Sequence, residues 1–209
     1  MTVAPEGRKA SARLPEQRVS EPAAEAVGPR TAGSTAFRYT AAVLRLSLGW
    51  VFLWAFFDKL LALGFRTGRN DETGAVDYFG DAAWINGGSP TEGFLSFGTK
   101  GTFADFFSSF AGAAWADWLF MIGLAGIGIA FMAGVAMRIA AAAGALLLVL
   151  MWLAAPPMAL PAGNNPFMDD HLVYAIAMVA LTLAGAGYTL GLGRYWDRLP
   201  VVRDYGLLK

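Results

Sequence analysis

The stretch "HLVYAIAMVALTLAGAGYTLGLG", His171 to Gly193, decides the fold. From Leu172 onward it carries no formal charge. Its length and polarity are those of a helix that crosses a bilayer, which needs about 20 such residues. Immediately before it stands "NNPFMDD", Asn164 to Asp170, so two carboxylates and the only histidine of the chain meet at the start of an apolar run. Aspartates at a helix N-terminus are favoured by the macrodipole and accept bonds from its free N–H groups. That accounts for Asp169 and Asp170 but not for His171. The dipole disfavours an imidazolium there, the adjacent carboxylates favour it, and an imidazole exchanges protons near neutral pH. Tyr174, one turn beyond Asp170, is placed to extend a hydrogen-bonding chain inward.

Outward from this stretch the chain repeats the pattern. Its 209 residues are 56% hydrophobic and 15% charged, whereas a soluble domain has about a quarter of its residues charged. Apolar segments at about 39–63, 115–137 and 139–155 precede the fourth, at 170–192. The third ends at Pro156-Pro157, which cannot continue a helix. Only the neighbourhood of Arg138 separates the second from the third, as in a tight hairpin. Small residues recur in "GLAGIGIAFMAG" and "LAGAG", and such residues let membrane helices approach closely. The expectation is an all-α integral membrane four-helix bundle over residues 37–193.

Residues 1–36, rich in Ala, Pro, Glu and Arg, read as a disordered tail. Basic residues gather in that tail, at Arg138, and at Arg194, Arg198, Arg203 and Lys209, while 156–170 has none. By the positive-inside rule both termini, including a 194–209 tail, are expected to be cytoplasmic, with "NNPFMDDH" facing outward. The extracytoplasmic loop at 64–114 is too long for a simple connector. Within it Phe103, Phe106, Phe107 and Phe110 keep helical spacing. That predicts a short helix at the interface or folded as a lid over a lipophilic site.

The absence of cysteine excludes disulfides, thiolate metal sites and iron–sulfur ligation. A single histidine excludes a bis-histidine haem or a multi-histidine metal site within one chain, and no metal is expected. The balance of 16 basic against 16 acidic residues gives no sign of nucleic-acid binding. Any redox chemistry therefore needs a bound organic carrier or a partner.

The first segment carries Arg45, Asp58 and Lys59. Arg45 and Lys59 share one helical face, roughly 20 Å apart by helical rise. Ionised groups within a span are costly and face the protein interior or snorkel to an interface. Arg45, about two turns inside, calls for an internal partner or a ligand. Lys59 sits near the helix end, where snorkelling and an inward role weigh equally. Asp58 is too short to snorkel and predicts a salt bridge or a wet cavity at the outer surface.

Together the Arg45-to-Lys59 helix, the hairpin at Arg138, the "NPFMDDH" run and the "GLGRYW" ending resemble the DoxX/DoxD family of bacterial four-helix membrane proteins. The likeness spans roughly residues 40–205 and is nearer to the DoxD branch, the membrane subunit of thiosulfate:quinone oxidoreductase. The resemblance implies a plasma-membrane protein that oxidises thiosulfate to tetrathionate, passes electrons to a membrane quinone, and has a second subunit or soluble redox partner. In that setting His171, Asp170 and Asp169 are candidate proton donors to quinone. Lys59, with Lys100, Arg66 or Arg69, would offset the charge of thiosulfate. Asp58, Arg45, Asn164, Asn165 and Tyr174 complete the candidate set, and the small and aromatic residues between helices are expected to form a quinone slot. The rival reading is a membrane anchor that docks a soluble oxidoreductase. A transporter fits least, since the second and third segments show no charge inside.

Overall fold

A computed structural model describes Met1, residues 33–160 and residues 165–208 of the protein. The expected N-terminal tail up to residue 32, and Asn164, lie outside the described residues. The rest is all-helical, and among the described residues the only bridge outside helices is an isolated one between Arg69 and Val76. In chain order the helices are α1 (Thr35–Leu61), α2 (Ala104–Ser108), α3 (Ala114–Ala133), α4 (Met137–Ala154), α5 (Asp170–Leu183), α6 (Gly193–Trp196) and α7 (Pro200–Asp204). Three are long and apolar enough to cross a membrane: α1, α3, and α4 with the 3₁₀ turn Pro157–Ala159 that follows it. The apolar α5 is shorter, at 14 residues.

The start of α1 falls earlier than the hydropathy suggests because Ser34 caps it, its side chain accepting the Phe37 N–H at 3.3 Å. Residues 35 and 36, expected in the tail, are therefore helical. At the other end Ala62 turns left-handed (φ 51°) and returns its N–H to the Asp58 carbonyl. The α3–α4 hairpin turns at Gly134 (φ 72°) and Ala136 (φ 48°), so Arg138 lies inside α4 instead of in the turn.

α1 runs antiparallel to α3, with Arg45 beside Phe131 and Met132 and Lys59 over the Phe120 ring. α5 likewise runs antiparallel to α4, Thr182 at its end meeting the Met137 carbonyl. α3 packs on α4, and α1 touches α5 more lightly. The shared core holds Leu48, Phe52, Met121, Phe131, Leu148 and Met178, all nearly inaccessible.

Glycines set the closeness of these helices. A methyl group at Gly49 would lie 2.8 Å from the Met132 nitrogen, and one at Gly128 would lie 2.7 Å from Leu53 Cγ. The space that small residues create is thus filled by the neighbouring helix. At these contacts it is not left as the quinone slot expected between helices, because close approach and an open slot compete for the same volume. Gly49→Ala is expected to lower the stability of the detergent-solubilised protein by about 1–3 kcal/mol, since backbone cannot yield as a side chain does. Gly123→Ala, whose methyl would meet nothing within 4 Å, is the control. Its melting temperature should match that of the unaltered protein.

The fourth apolar segment departs from expectation. Hydropathy predicts one helix to residue 192, yet α5 stops at Leu183. Gly185 adopts φ 67° and serves as the left-handed residue that ends a helix. The chain then folds inward, burying Ala186, Gly187 and Thr189, and closes over the end of α3. Of the last four α3 carbonyls, Ala130 accepts the Gly134 N–H, Phe131 and Met132 accept from Arg45 Nη1, and Ala133 accepts the Leu192 N–H at 2.7 Å. These are the acceptors a helix end leaves orphaned, and each finds its donor within the protein.

The C-terminal residues, expected as a plain tail, also fold back. Arg138 Nη1 donates to the Gly206 carbonyl at 2.7 Å, Trp196 Nε1 donates to the Leu208 carbonyl, and Val202 is buried. Tyr188 donates to Asp197 Oδ2 at 2.7 Å.

In the long loop, α2 forms where the phenylalanine spacing predicts, but it is only five residues long. Phe107 is buried with Leu95 and Ala154, with Phe110 packed against them, while Phe103 and Phe106 are exposed. The helix therefore docks on the end of α4 through a small core of its own. The Lys100 N–H fastens the same place, donating to the Ala154 carbonyl at 2.8 Å.

Candidate functional site

Because successive helices alternate in direction, the end of α1, the loop, the start of α3, the end of α4 and the start of α5 share one end of the molecule. Arg45 lies at the opposite end. Asp169, Asp170 and His171 come together at the start of α5. Asp169 is extended (φ −132°, ψ −175°), and its Oδ1 accepts the Leu172 N–H at 3.2 Å, a standard N-cap. Its Oδ2 lies 2.8 Å from His171 Nδ1, with Asp170 Oδ1 at 3.5 Å from the same nitrogen.

A carboxylate can only accept, so Nδ1 carries the hydrogen and Nε2 is the ring nitrogen left to gain or release a proton. The His171 side chain is 28% exposed and that of Asp170 is 68% exposed. The pair is thus held by the protein yet open to exchange with solvent. One ligand atom from each of the three residues lies within 4.8 Å of the others. Asp169, however, already serves the helix N–H with one oxygen and the imidazole with the other, so this arrangement is bonded within itself.

Asn165 shapes the approach to this cluster. Its Oδ1 accepts the N–H groups of Phe167 and Met168, at 2.9 and 3.0 Å, and Trp152 Nε1 ties the Phe167 carbonyl to α4 at 2.9 Å. Its role is that of a turn-former. Tyr174 packs against the core, and its hydroxyl makes no hydrogen bond among the described residues, so the inward chain from Asp170 does not form.

The charges of α1 separate into three roles. Arg45 is fully buried and reaches carbonyls only: Phe131, Met132 at 2.9 Å and Leu190 at 2.8 Å. Gly134 and Gly191 give its guanidinium room, since a methyl group at either would come within 3.1–3.2 Å of it. The expected internal partner exists, and it is backbone. Asp58, 1% exposed, finds neither the salt bridge nor the wet cavity expected of it. Its oxygens accept the N–H groups of Phe65 and Arg66 at 2.9 and 3.0 Å, and so staple the loop to the end of α1. Two amide donors satisfy a buried carboxylate without a counter-charge.

Lys59 is half-buried, its ammonium 5.8 Å from the Phe120 ring centre, with Asp58 and Arg66 as its charged neighbours. No hydrogen bond or ion pair joins it to His171. Of the loop cations, Arg69 is engaged by the Gly64 carbonyl at 2.8 Å and Lys100 is exposed, which leaves Lys59 and Arg66 as the neighbouring pair.

One acidic group escaped the sequence reading. Asp117, in the first turn of α3, is buried and accepts from Ser89 Oγ, Thr91 N and Thr91 Oγ1. The signal was the one read at Asp170: a carboxylate in the opening turn of an apolar helix. Asp117 also lines a groove of about 460 Å3 beneath the loop, together with Trp84, Trp118 and Glu92. The groove contains none of the residues proposed from sequence.

Searches of family models, curated proteins and solved structures give no match to this chain.

Proposed function

We propose that the protein is the membrane subunit of a quinone-coupled oxidoreductase. In this reading α1, α3, α4 and α5 form a four-helix bundle in a bacterial plasma membrane, with both termini cytoplasmic. The observation that carries it is the His171–Asp169 pair, 2.8 Å apart, at the mouth of an apolar helix. The half-reactions balance as two thiosulfate dianions joining through a new S–S bond to give tetrathionate and two electrons, and a quinone taking up those electrons with two protons.

For the quinone, the chain supplies an imidazole whose Nδ1 is fixed by a carboxylate and whose Nε2, once it has taken a proton from solvent, is placed to pass it on. Exposed Asp170 connects that imidazole to water. The donor set fits the headgroup's demand for protons. The closed helix contacts mean that the ring would approach from the lipid, past exposed Phe167 and Met168. Lys59 and Arg66 are the charges suited to a dianion, since the Asp117 groove has the wrong sign. Whether the electrons reach quinone from the sulfur donor or through a partner subunit is decided by turnover of the purified chain alone.

The second reading, a membrane anchor for a soluble redox partner, is favoured by one specific observation. Asp58 is satisfied by the protein's own amides, and Arg45 through both terminal nitrogens and Asp117 through Oδ1 are engaged within the protein. Quinone that co-purifies with the protein and is reduced on addition of a sulfur donor supports the oxidoreductase. A quinone-free preparation that stays inert with every donor and partner leaves the anchor.

Orientation has its own test, open to a protein without cysteine. Glu72→Cys in the exposed part of the loop should react with an impermeant maleimide on intact cells. Arg203→Cys, its side chain 74% exposed in the native residue, should react only after lysis. The reverse pattern would move the His171 end to the cytoplasm.

A further inference from the structure

The groove beneath the long loop is independent of the quinone reading and has a chemistry of its own. Its volume of about 460 Å3 lies within the range of small-ligand sites, about 300–1,000 Å3. Trp84 and Trp118 form one side, their rings 4.7 Å apart and edge to face. At its base Asp117 is 7% exposed. All three of its bonds fall on Oδ1, from Thr91 Oγ1 at 2.6 Å, Ser89 Oγ at 2.9 Å and Thr91 N at 3.1 Å. Oδ2 accepts nothing among the described residues, and yet it is not sealed off as a buried unpaired atom would be. Glu92 reaches in from the other side, where a methyl group on Gly112 would sit 3.6 Å from its carboxyl carbon.

The lining contains no lysine or arginine. The nearest hydroxyl donors, Ser89 and Thr91, already point at Asp117, so the groove offers a ligand two carboxylates and the indoles of Trp84 and Trp118. Anions find no counter-charge there. A cation finds both charge and π surface, and aromatic faces attract most strongly an ammonium whose alkyl groups shed water readily.

We propose that this groove binds a small alkylammonium group, with Asp117 Oδ2 and Glu92 as its counter-ions and Trp84 and Trp118 as its walls. The same headgroup chemistry occurs on a soluble amine and on a choline lipid. Asp117 clamps the loop with one oxygen and meets the ligand with the other, so the clamp and the site coexist.

The test is calorimetric titration of the full-length protein in detergent with tetramethylammonium chloride, with sodium chloride at equal ionic strength as the blank. Saturable binding is expected. Glu92→Gln, at an exposed side chain whose loss leaves the fold intact, should weaken it about fivefold, as for one solvent-exposed ion pair. Trp118→Leu should weaken it by about tenfold, as for a lost cation–π wall. Repeating the titration in phosphatidylcholine and in phosphatidylethanolamine nanodiscs, neither of which carries net charge, identifies the source. A weaker apparent affinity in phosphatidylcholine means that the lipid headgroup competes, and equal affinities mean a soluble cation. Absence of saturable binding to the wild type, or equal binding by both folded variants, overturns the proposal.

Discussion

Arg45→Leu is expected to abolish accumulation of folded protein in membranes. The leucine fits the span by hydropathy, but the carbonyls of Phe131, Met132 and Leu190 lose their donor where no water replaces it. Removing one side of a buried charged network costs about 3–5 kcal/mol, comparable with the whole stability margin of many domains. Arg45→Lys should recover part of the yield, because an ammonium keeps the charge without the planar fork that reaches two chain segments at once. Size-exclusion profiles and melting temperatures in detergent read both variants. A wild-type profile for Arg45→Leu would show that water or lipid headgroups serve these carbonyls instead.

His171→Gln is expected to lower quinone reduction by about 10²–10⁴-fold, the range for a lost general acid or base, with little change in melting temperature. Glutamine keeps a polar side chain beside Asp169 but does not titrate. Asp169→Ala provides the contrast. It removes the α5 cap, at about 1 kcal/mol, and frees the imidazole, so both stability and turnover should fall. Unchanged turnover by His171→Gln in an active preparation would remove the proton-transfer role, whatever the stability data show.

Much of the architecture was legible because it is written in hydropathy and in helix breakers. The spans of α1, α3 and α4, the stop at Pro156-Pro157 and the helical phenylalanines of the loop all follow from local pattern. What was illegible depended on long-range partners. That Arg45 needs something inside the protein follows from its place in a span. That the partner is a helix end follows only once α3 is seen to finish beside it. Gly185 illustrates the same limit: "LAGAG" suits a close helix contact and a helix stop equally well, and the need to cap α3 selects the stop. Asp58 and Asp117 look like charges in search of counter-charges, but N–H or O–H groups brought in by loop segments satisfy Asp58 and occupy one oxygen of Asp117. At the candidate site, adjacency set His171 beside two capping carboxylates, but that it pairs with Asp169 more closely than with Asp170 shows only in the fold. The separation of Tyr174 and Lys59 from that pair was not, since it depends on which neighbour each side chain packs against.

The brevity of α5 bears on the surrounding lipid. Its 14 residues rise about 21 Å, against hydrocarbon about 30 Å thick. On the proposed reading that α5 lies in the bilayer, the membrane on that flank would be thinned to meet the protein, while beside the 27-residue α1 it would not. Such mismatch costs a fraction of a kcal/mol per Å, and here it is one-sided. On that reading the protein would impose a thickness gradient on its lipid annulus, and thinner membranes should relieve the strain along the α5 edge first.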